Sequence, residues 1–310
     1  MDAVIQTRGL GRCFGSIRAV DGLDLDLGPG EMVGLVGPDG AGKTTAIRLL
    51  AGVLAPTAGT GCVLGCDLRR DRDAIRRRIG YLAQQFSLYG DLTVDENIEF
   101  CADLHGVRDH TARRRELLEF TRLTPFRTRL ADHLSGGMKK KLALACALIH
   151  RPPLLLLDEP TTAVDPVSRR DFWRILAGVR REGIAILVTT PYLDEAERCT
   201  RVALMHRGRV LRCAAPPALA AGMPGALLEV GASDPRAACR ALQGWAWGRT
   251  AYTVGERVRV LVAEEQAGIV AARRLLAAAG LASAQVRAVR PRLEDVFIEL
   301  LGNPTASEDA

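Results

Sequence analysis

Apolar residues recur along this chain in short unbroken blocks, and helical patterns separate the blocks. EMVGLVG (31–37), LLLLD (154–158) and AILVTT (185–190) are such blocks. A strand with one solvated face alternates apolar and polar residues. A continuous apolar run of strand length predicts a strand covered on both faces, as in a parallel sheet. IGYLAQ (79–84) reads as the end of another strand. Helical patterns follow in KTTAIRLLAGVL, in the charged stretch 93–124, near 167–181 and in YLDEAER. Strands alternating with helices predict an α/β fold with a mainly parallel sheet.

The pattern changes near residue 214. AAPPALAAGMPG (214–225) is rich in Ala, Pro and Gly and reads as a linker between a first domain, 1–213, and a second, 226–302. The second domain runs ALLEV (strand), DPRAACRALQ (helix), RTAYTV and RVRVLVA (strands), AGIVAARRLLAAAG (helix), QVRAVR (strand) and LEDVFIELLG (helix). The order β-α-β-β-α-β with an added terminal helix predicts a small ferredoxin-like α+β domain. Trp245 and Trp247 alternate in GWAWG and are read as packing of its sheet. NPTASEDA (303–310) is expected as a frayed tail.

Three motifs carry candidate chemistry. GPDGAGKT, Gly37 to Thr44, lies between a predicted strand and a predicted helix and fits G-x-x-x-x-G-K-[ST]. Glycines let backbone N–H groups curl around a phosphate cluster where a Cβ would obstruct. Lys43 then reaches the β- and γ-phosphates, Thr44 ligates Mg²⁺, and the helix adds its N-terminal partial charge. LLLLDEP, Leu154 to Pro160, brings Asp158 to the polar end of a buried strand, where it can hold Mg²⁺ through water. Glu159 beside it can accept a proton from an attacking water. LSGGM, Leu134 to Met138, opens a helix with a hydroxyl and free N–H groups. On local physics alone Ser135 is an N-cap and no more.

The order of these pieces resembles the nucleotide-binding subunit of an ABC transporter. Phe14, GPDGAGKT, Gln84 in YLAQQ, LSGGM, LLLLDEP and TTAVD (Thr161 to Asp165) follow the family's order over residues 1 to about 212. The resemblance implies a P-loop NTPase ABC-type ATPase domain with a helical subdomain. It implies an adenine-stacking role for Phe14 and nucleotide contacts from Gly37, Pro38, Asp39, Gly40, Ala41, Gly42, Lys43, Thr44 and Thr45. Two subunits close face to face in this family, so Ser135, Gly136 and Gly137 would serve the partner's ATP, with Asp165 in the D-loop. Gln84 would sense Mg²⁺ and the γ-phosphate and act with Glu159, and Thr44, Gln84 and Asp158 would form the metal set. The segment SLYGDLTVDENI would receive a helix of an integral membrane permease subunit. The phrases FGSIRAVDGLDLDL, DPVSRR and PRLEDVFIELLG are similar to the drug- and antibiotic-exporter branch, and PYLDEAERC to the first domain of its tandem members. Localisation at the inner face of the cell membrane, in the cytoplasm, follows from the same resemblance.

One residue departs sharply from the family. Pro191 stands where a histidine contacts the γ-phosphate and holds the attacking water and the glutamate. Proline neither donates nor accepts a side-chain hydrogen bond and has no N–H. Two readings follow: slow hydrolysis, with Thr190, Tyr192 or a water standing in, or an ATP-binding clamp paired with a competent second subunit. Asp39 is a softer departure, since asparagine or serine is usual there.

Composition alters this picture little. The length of 310 residues favours two domains, and 48% hydrophobic with 25% charged residues is an ordinary globular balance. The net charge of +6 suits an anionic ligand or arginine-rich solvated faces equally. DLRRDRDAIRRRIG (67–80) lacks stacking aromatics and reads as a solvated helix face, so no nucleic acid is expected. The run Lys139 to Lys141 is expected along the signature helix, favouring ATP electrostatically or facing water. Eight cysteines without a CxxC pair read as reduced cytosolic thiols, and five histidines lack ligand spacing. No window offers about 18 consecutive apolar residues, so no membrane crossing is expected, and the N-terminus lacks the apolar core of a signal peptide.

Overall fold

A computed structural model describes residues 3–85, 88–243, 245 and 248–302. Strands β1 (Ile5–Phe14) and β2 (Ile17–Leu27) pair antiparallel, and β3 (Met32–Val36) leads into helix α1 (Lys43–Leu50). Then come β4 (Ala58–Val63), β5 (Cys66–Asp67), α2 (Arg72–Arg78) and β6 (Ile79–Leu82). Helices α3 (Val94–Leu104), α4 (Thr111–Thr121) and α5 (Gly136–Leu148) form a helical layer. The chain continues through β7 (Leu154–Asp158), α6 (Pro166–Arg181), β8 (Ala185–Thr190), α7 (Leu193–Ala196), β9 (Arg201–His206) and β10 (Arg209–Ala214).

The chain divides into two compact units, Met1–Cys213 and Ala214–Ala310. In the first, a six-stranded sheet has the order β10-β9-β3-β8-β7-β6. The pairs β3–β8, β3–β9, β7–β8 and β6–β7 are parallel. All residues of β3, β7 and β8 are buried. Two-sided burial explains why their sequences run apolar without alternation. A smaller sheet, β2-β1-β4-β5, packs its inner face into the same core through Ile5, Leu10, Leu23 and Leu25. The loops that matter chemically leave the C-terminal ends of β3, β7 and β8, where open parallel sheets place their ligands.

Local rules set the helix boundaries. Thr93 caps α3 with a reciprocal capping box: its Oγ1 accepts from the Glu96 N–H, and Glu96 Oε2 accepts from the Thr93 N–H. Asp165 caps α6 by accepting from the Val167 and Ser168 N–H groups at 3.1 and 2.9 Å, ahead of Pro166. Such a cap contributes about 1 kcal/mol. The charged stretch 93–124 is two helices rather than one, because α3 ends before Gly106, whose φ is 69°. The YLDEAER pattern forms only the four-residue α7. The arginines of α2 stay outward while Ile75 is buried, and Arg76 pairs with Asp73.

The second unit contains α8 (Pro216–Ala221), β11 (Ala226–Gly231), α9 (Pro235–Leu242), β12 (Gly248–Val254), β13 (Arg257–Val262), α10 (Glu265–Ala278), β14 (Gln285–Val289) and α11 (Leu293–Gly302). The stretch 214–225 expected as a linker contains the short helix α8. Proline fits the first helical turn, where its missing N–H costs nothing, and the alanines that follow propagate a helix. Leu219 of α8 is buried. The antiparallel sheet has the order β12-β13-β11-β14. One face packs Leu228, Val230, Val258, Val260 and Val286 against Leu242 of α9 and Leu276 of α10. Trp245 packs against this core, while Trp247 and the tail 303–310 lie outside the described residues.

Candidate functional site

The loop between β3 and α1 wraps tightly because two glycines permit close approaches. A Cβ on Gly37 would lie 2.1 Å from the Met205 carbonyl oxygen, and one on Gly42 would lie 2.1 Å from that of Ala19. Gly42 also holds φ at 102°, a conformation side chains rarely adopt. We expect Gly42→Ala to weaken Mg-ATP binding by at least about tenfold, since left-handed strain alone costs about 1–2 kcal/mol before the clash is counted. Equilibrium titration with a fluorescent ATP analogue checks this.

A cavity of about 520 Å³ opens over this loop. Asp39, Gly40, Ala41, Gly42, Lys43, Thr44 and Thr45 line one side; Gln84 and Glu159 line another. Ile17, Arg18, Ala19 and Arg207 complete it. Lys43 is 4% exposed, and its Nζ donates to the Gly37 and Pro38 carbonyls at 2.9 and 3.1 Å. The same ammonium lies 3.2 Å from Glu159 Oε1. The second Glu159 oxygen, Oε2, accepts from Gln84 Nε2 at 3.1 Å and from Thr162 Oγ1 at 3.3 Å. Glu159 adopts a φ of 46°, unusual for a non-glycine residue, and its N–H donates to Thr189 Oγ1 at 2.9 Å. The backbone thus aims the carboxylate over the loop.

Asp158, completely buried, ends β7. Its Oδ1 accepts from Thr44 Oγ1 at 3.1 Å and from Thr189 Oγ1 at 2.9 Å, while Oδ2 is buried with no hydrogen-bond partner. Burial raises the Asp158 pKa above the usual carboxylate range, against the lowering effect of the two threonine hydroxyls. An orphaned carboxylate oxygen beside a threonine hydroxyl is a hard oxygen donor set that fits Mg²⁺. Among the described residues no cluster of three or more His, Cys, Asp or Glu side chains could hold a metal by itself.

Not every motif residue meets at this cavity. Phe14 is 45% exposed, is absent from the lining, and carries the Arg12 guanidinium over its ring at 4.7 Å. Ile17 occupies the cavity wall instead. Ser135, Gly136 and Gly137 lie apart from the lining; Ser135 caps α5 by accepting from the Met138 N–H at 3.3 Å. A Cβ on Gly137 would stand 2.6 Å from Ser168. Asp165 spends its carboxylate on the α6 cap.

The residues around Pro191 are already engaged. Thr190 Oγ1 donates to Glu195 Oε2 at 2.7 Å and accepts from the Tyr192 N–H. The Tyr192 ring lies under the Arg169 guanidinium at 4.5 Å. Glu195, 1% exposed, also accepts from Thr161 Oγ1 at 2.7 and 2.9 Å and pairs with Arg169 at 3.4 Å. Neither Thr190 nor Tyr192 lines the cavity.

Several contributors escape motif reading. Thr189 braces both Asp158 and Glu159. Its signal is a polar residue at the end of an apolar strand, the edge where parallel sheets bind ligands. Lys140 is buried and donates from Nζ to the Gln84 carbonyl at 2.8 Å. Lys139 reaches Asp132 at 3.4 Å and Lys141 reaches Asp171 at 3.8 Å, so the run expected either to favour ATP electrostatically or to face water is three engaged lysines. His105 and His150 stack at 3.8 Å, and burial pushes His150 down to about 4.

Residues 20–162 match the family described as ABC transporter. The chain is 36% identical to the daunorubicin resistance ATP-binding protein DrrA3 of Streptomyces coeruleorubidus, over 100% of this chain and 99% of that protein. The chain belongs to the ABC transporter ATP-binding proteins. It is also 42% identical to the probable multidrug ABC transporter ATP-binding protein YbhF of Escherichia coli (strain K12), over 99% of this chain. It spans 54% of the length of that relative. Among solved structures, the dimeric bacterial ABC transporter cassette MJ0796 is 28% identical with a TM-score of 0.62, covering 67% of this chain and 97% of that one. The cavity, the glycine-cradled loop and the Asp158–Glu159 pair therefore lie in an ABC-type ATPase domain.

Proposed function

We propose that this ABC protein is the ATP-hydrolysing subunit of an exporter of small hydrophobic or drug-like compounds. It works on the cytoplasmic face of the cell membrane with an integral membrane permease subunit and a second ATP-binding subunit. The observation that carries this reading is the Glu159 carboxylate, held between Lys43 and Gln84 at the rim of the phosphate loop.

In this reading Lys43 and the Gly37–Thr44 loop bind the β- and γ-phosphates. Thr44, Asp158 and Gln84 would hold Mg²⁺, which would supply charge neutralisation for the phosphates. Gln84 and Glu159 orient a water in line with the γ-phosphorus. As the new oxygen–phosphorus bond forms and the bond to ADP breaks, Glu159 accepts the water's proton. Ser135, Gly136 and Gly137, away from this chain's own cavity, serve the nucleotide of the second subunit, beside the D-loop of Asp165. Phe14, exposed beside the cavity, stacks on adenine once Arg12 yields its face.

An apolar surface supports the membrane partner. The Tyr89 and Phe100 rings meet edge to face at 4.7 Å, and Leu104, one turn further along α3, is 72% exposed. Among the described residues no helix is long and apolar enough to cross a membrane. The substrate class rests on the names of DrrA3 and YbhF, which refer to daunorubicin resistance and multidrug transport.

Steady-state ATP turnover of the purified chain tests the reading, with Pro191→His as the decisive variant. A missing preorganised group at developing charge costs about 10²–10³ in rate, so restoring the histidine should raise turnover at least about tenfold. Mg-ATP binding without turnover in either form would replace this reading with that of an ATP-binding clamp. The engagement of Thr190 and Tyr192 elsewhere favours that second reading over compensation by those side chains.

A further inference from the structure

Helix α5 opens at Ser135 and carries Lys140 one turn later. Lys140 is 3% exposed, while its neighbours Lys139 and Lys141 pair with Asp132 and Asp171 at the periphery. Burying an ammonium is costly unless it meets polar partners. Lys140 Nζ donates to the main-chain carbonyl of Gln84 at 2.8 Å. Gln84 Nε2 donates to Glu159 Oε2 at 3.1 Å, and Glu159 Oε1 pairs with Lys43 at 3.2 Å. Four residues thus form a continuous polar chain from α5 to the phosphate loop. Burial lowers the Lys140 pKa, and the charges of Asp158 and Glu159 push it back up, so the ammonium feels both carboxylates.

The chain has a direction. Lys140 grips the Gln84 backbone, so a shift of α5 would displace the Gln84 peptide. The Gln84 amide then moves relative to Glu159. Among the described residues Lys139 and Lys141 pair with Asp132 and Asp171 instead.

We propose that Lys140 is a positioning residue, which ties the seating of α5 to the placement of Gln84 and Glu159 in the chain's own site. Resting on the two-subunit reading above, the link makes one site's proton acceptor respond to how the Ser135 end of α5 meets the other subunit's nucleotide.

The test compares full-length wild type, Lys140→Met, Gln84→Ala, the double variant, and Lys139→Met as control, in ATP turnover against ATP concentration. Lys140→Met should lower kcat about tenfold, the scale of one charged hydrogen bond, with KM within about twofold. Adding it to Gln84→Ala should cost nothing further, and Lys139→Met should match wild type. Additive losses in the double variant, or a KM effect alone, overturn the proposal. Hydrogen exchange of the 79–85 segment provides a second readout that does not need hydrolysis. Mg-ATP should protect this segment in wild type and not in Lys140→Met, while the α5 amides stay protected in both. Equal protection overturns the link, as does loss of α5 protection in Lys140→Met, which marks a merely structural role. Wild-type protein that binds Mg-ATP without turnover would defeat the hydrolysis reading, and the exchange result would still decide Lys140.

Discussion

Glu159→Gln should reduce ATP turnover by about 10²–10⁴-fold, the contribution of a general base, while Mg-ATP binding survives. The substitution keeps size, exchanges one acceptor oxygen for an amide donor, and removes the charge and with it the ability to take a proton at neutral pH. The groups read as binding nucleotide and metal, Lys43, Thr44 and Asp158, are untouched. Asp158 also keeps its braces from Thr44 and Thr189. The Glu159 carboxylate is 8% exposed and pairs with Lys43, so the variant gives up a buried ion pair. Lys43 retains its two loop carbonyls as acceptors. The backbone φ of 46° is as demanding for glutamine as for glutamate, so local conformation is not an extra variable. With hydrolysis blocked and binding intact, an ATP-bound dimer should accumulate and be visible by size-exclusion chromatography. Turnover at the wild-type level would remove Glu159 from its proposed role. Loss of Mg-ATP binding would show instead that the Lys43 pair holds the loop in shape.

What was readable in the sequence follows the physics of burial. The parallel strands were legible because two covered faces demand uniform apolar residues. LLLLD and AILVTT coincide with β7 and β8 residue for residue. The loop and helix after β3 were legible because phosphate cradling restricts residue choice to a narrow pattern. What escaped depends on contacts distant in sequence. Within the run of three lysines, nothing local marks Lys140 as the one turned inward toward Gln84. Phe14 reads as a cavity residue by order alone, yet the cavity wall is Ile17. The helix α8 was hidden because proline and alanine suit a linker and a helix start alike. In the second unit, RVRVLV opens by alternating charged and apolar residues, the mark of one solvated face. Glu229 and Arg259 are nevertheless each only 7% exposed. Strand alternation cannot report that α11 supplies a carboxylate to this face.

That carboxylate makes Asp295→Ala the substitution with the largest expected effect on stability. Asp295 is completely buried in α11. It accepts from Arg259 Nη1 at 2.8 and 2.9 Å, from the Arg292 N–H at 2.6 Å, and from the Tyr252 hydroxyl. Burial and the neighbouring Asp295 charge push the Tyr252 pKa far above its usual value, so the phenol stays a donor. Arg259 is shared with Glu229 at 3.4 Å, and Glu229 also pairs with Arg287 at 2.7 Å. Alanine at 295 deletes the acceptor and leaves the Arg259 guanidinium buried, its Nε already without a partner. Breaking a buried pair from one side costs about 3–5 kcal/mol, and Glu229 at 3.4 Å compensates the remaining charge only in part. Asp295→Asn keeps one acceptor oxygen and should cost less. The loss should be confined to the second unit, which has its own core of Leu228, Val230, Val258 and Val260. Hydrogen exchange should therefore show the β11 and β13 amides losing protection while those of β3 and β7 keep theirs. Unchanged protection in β11 and β13 would mean that α11 is held by Leu293, Val296 and Leu300 alone. Collapse of protection throughout the chain would mean that the two units do not unfold separately.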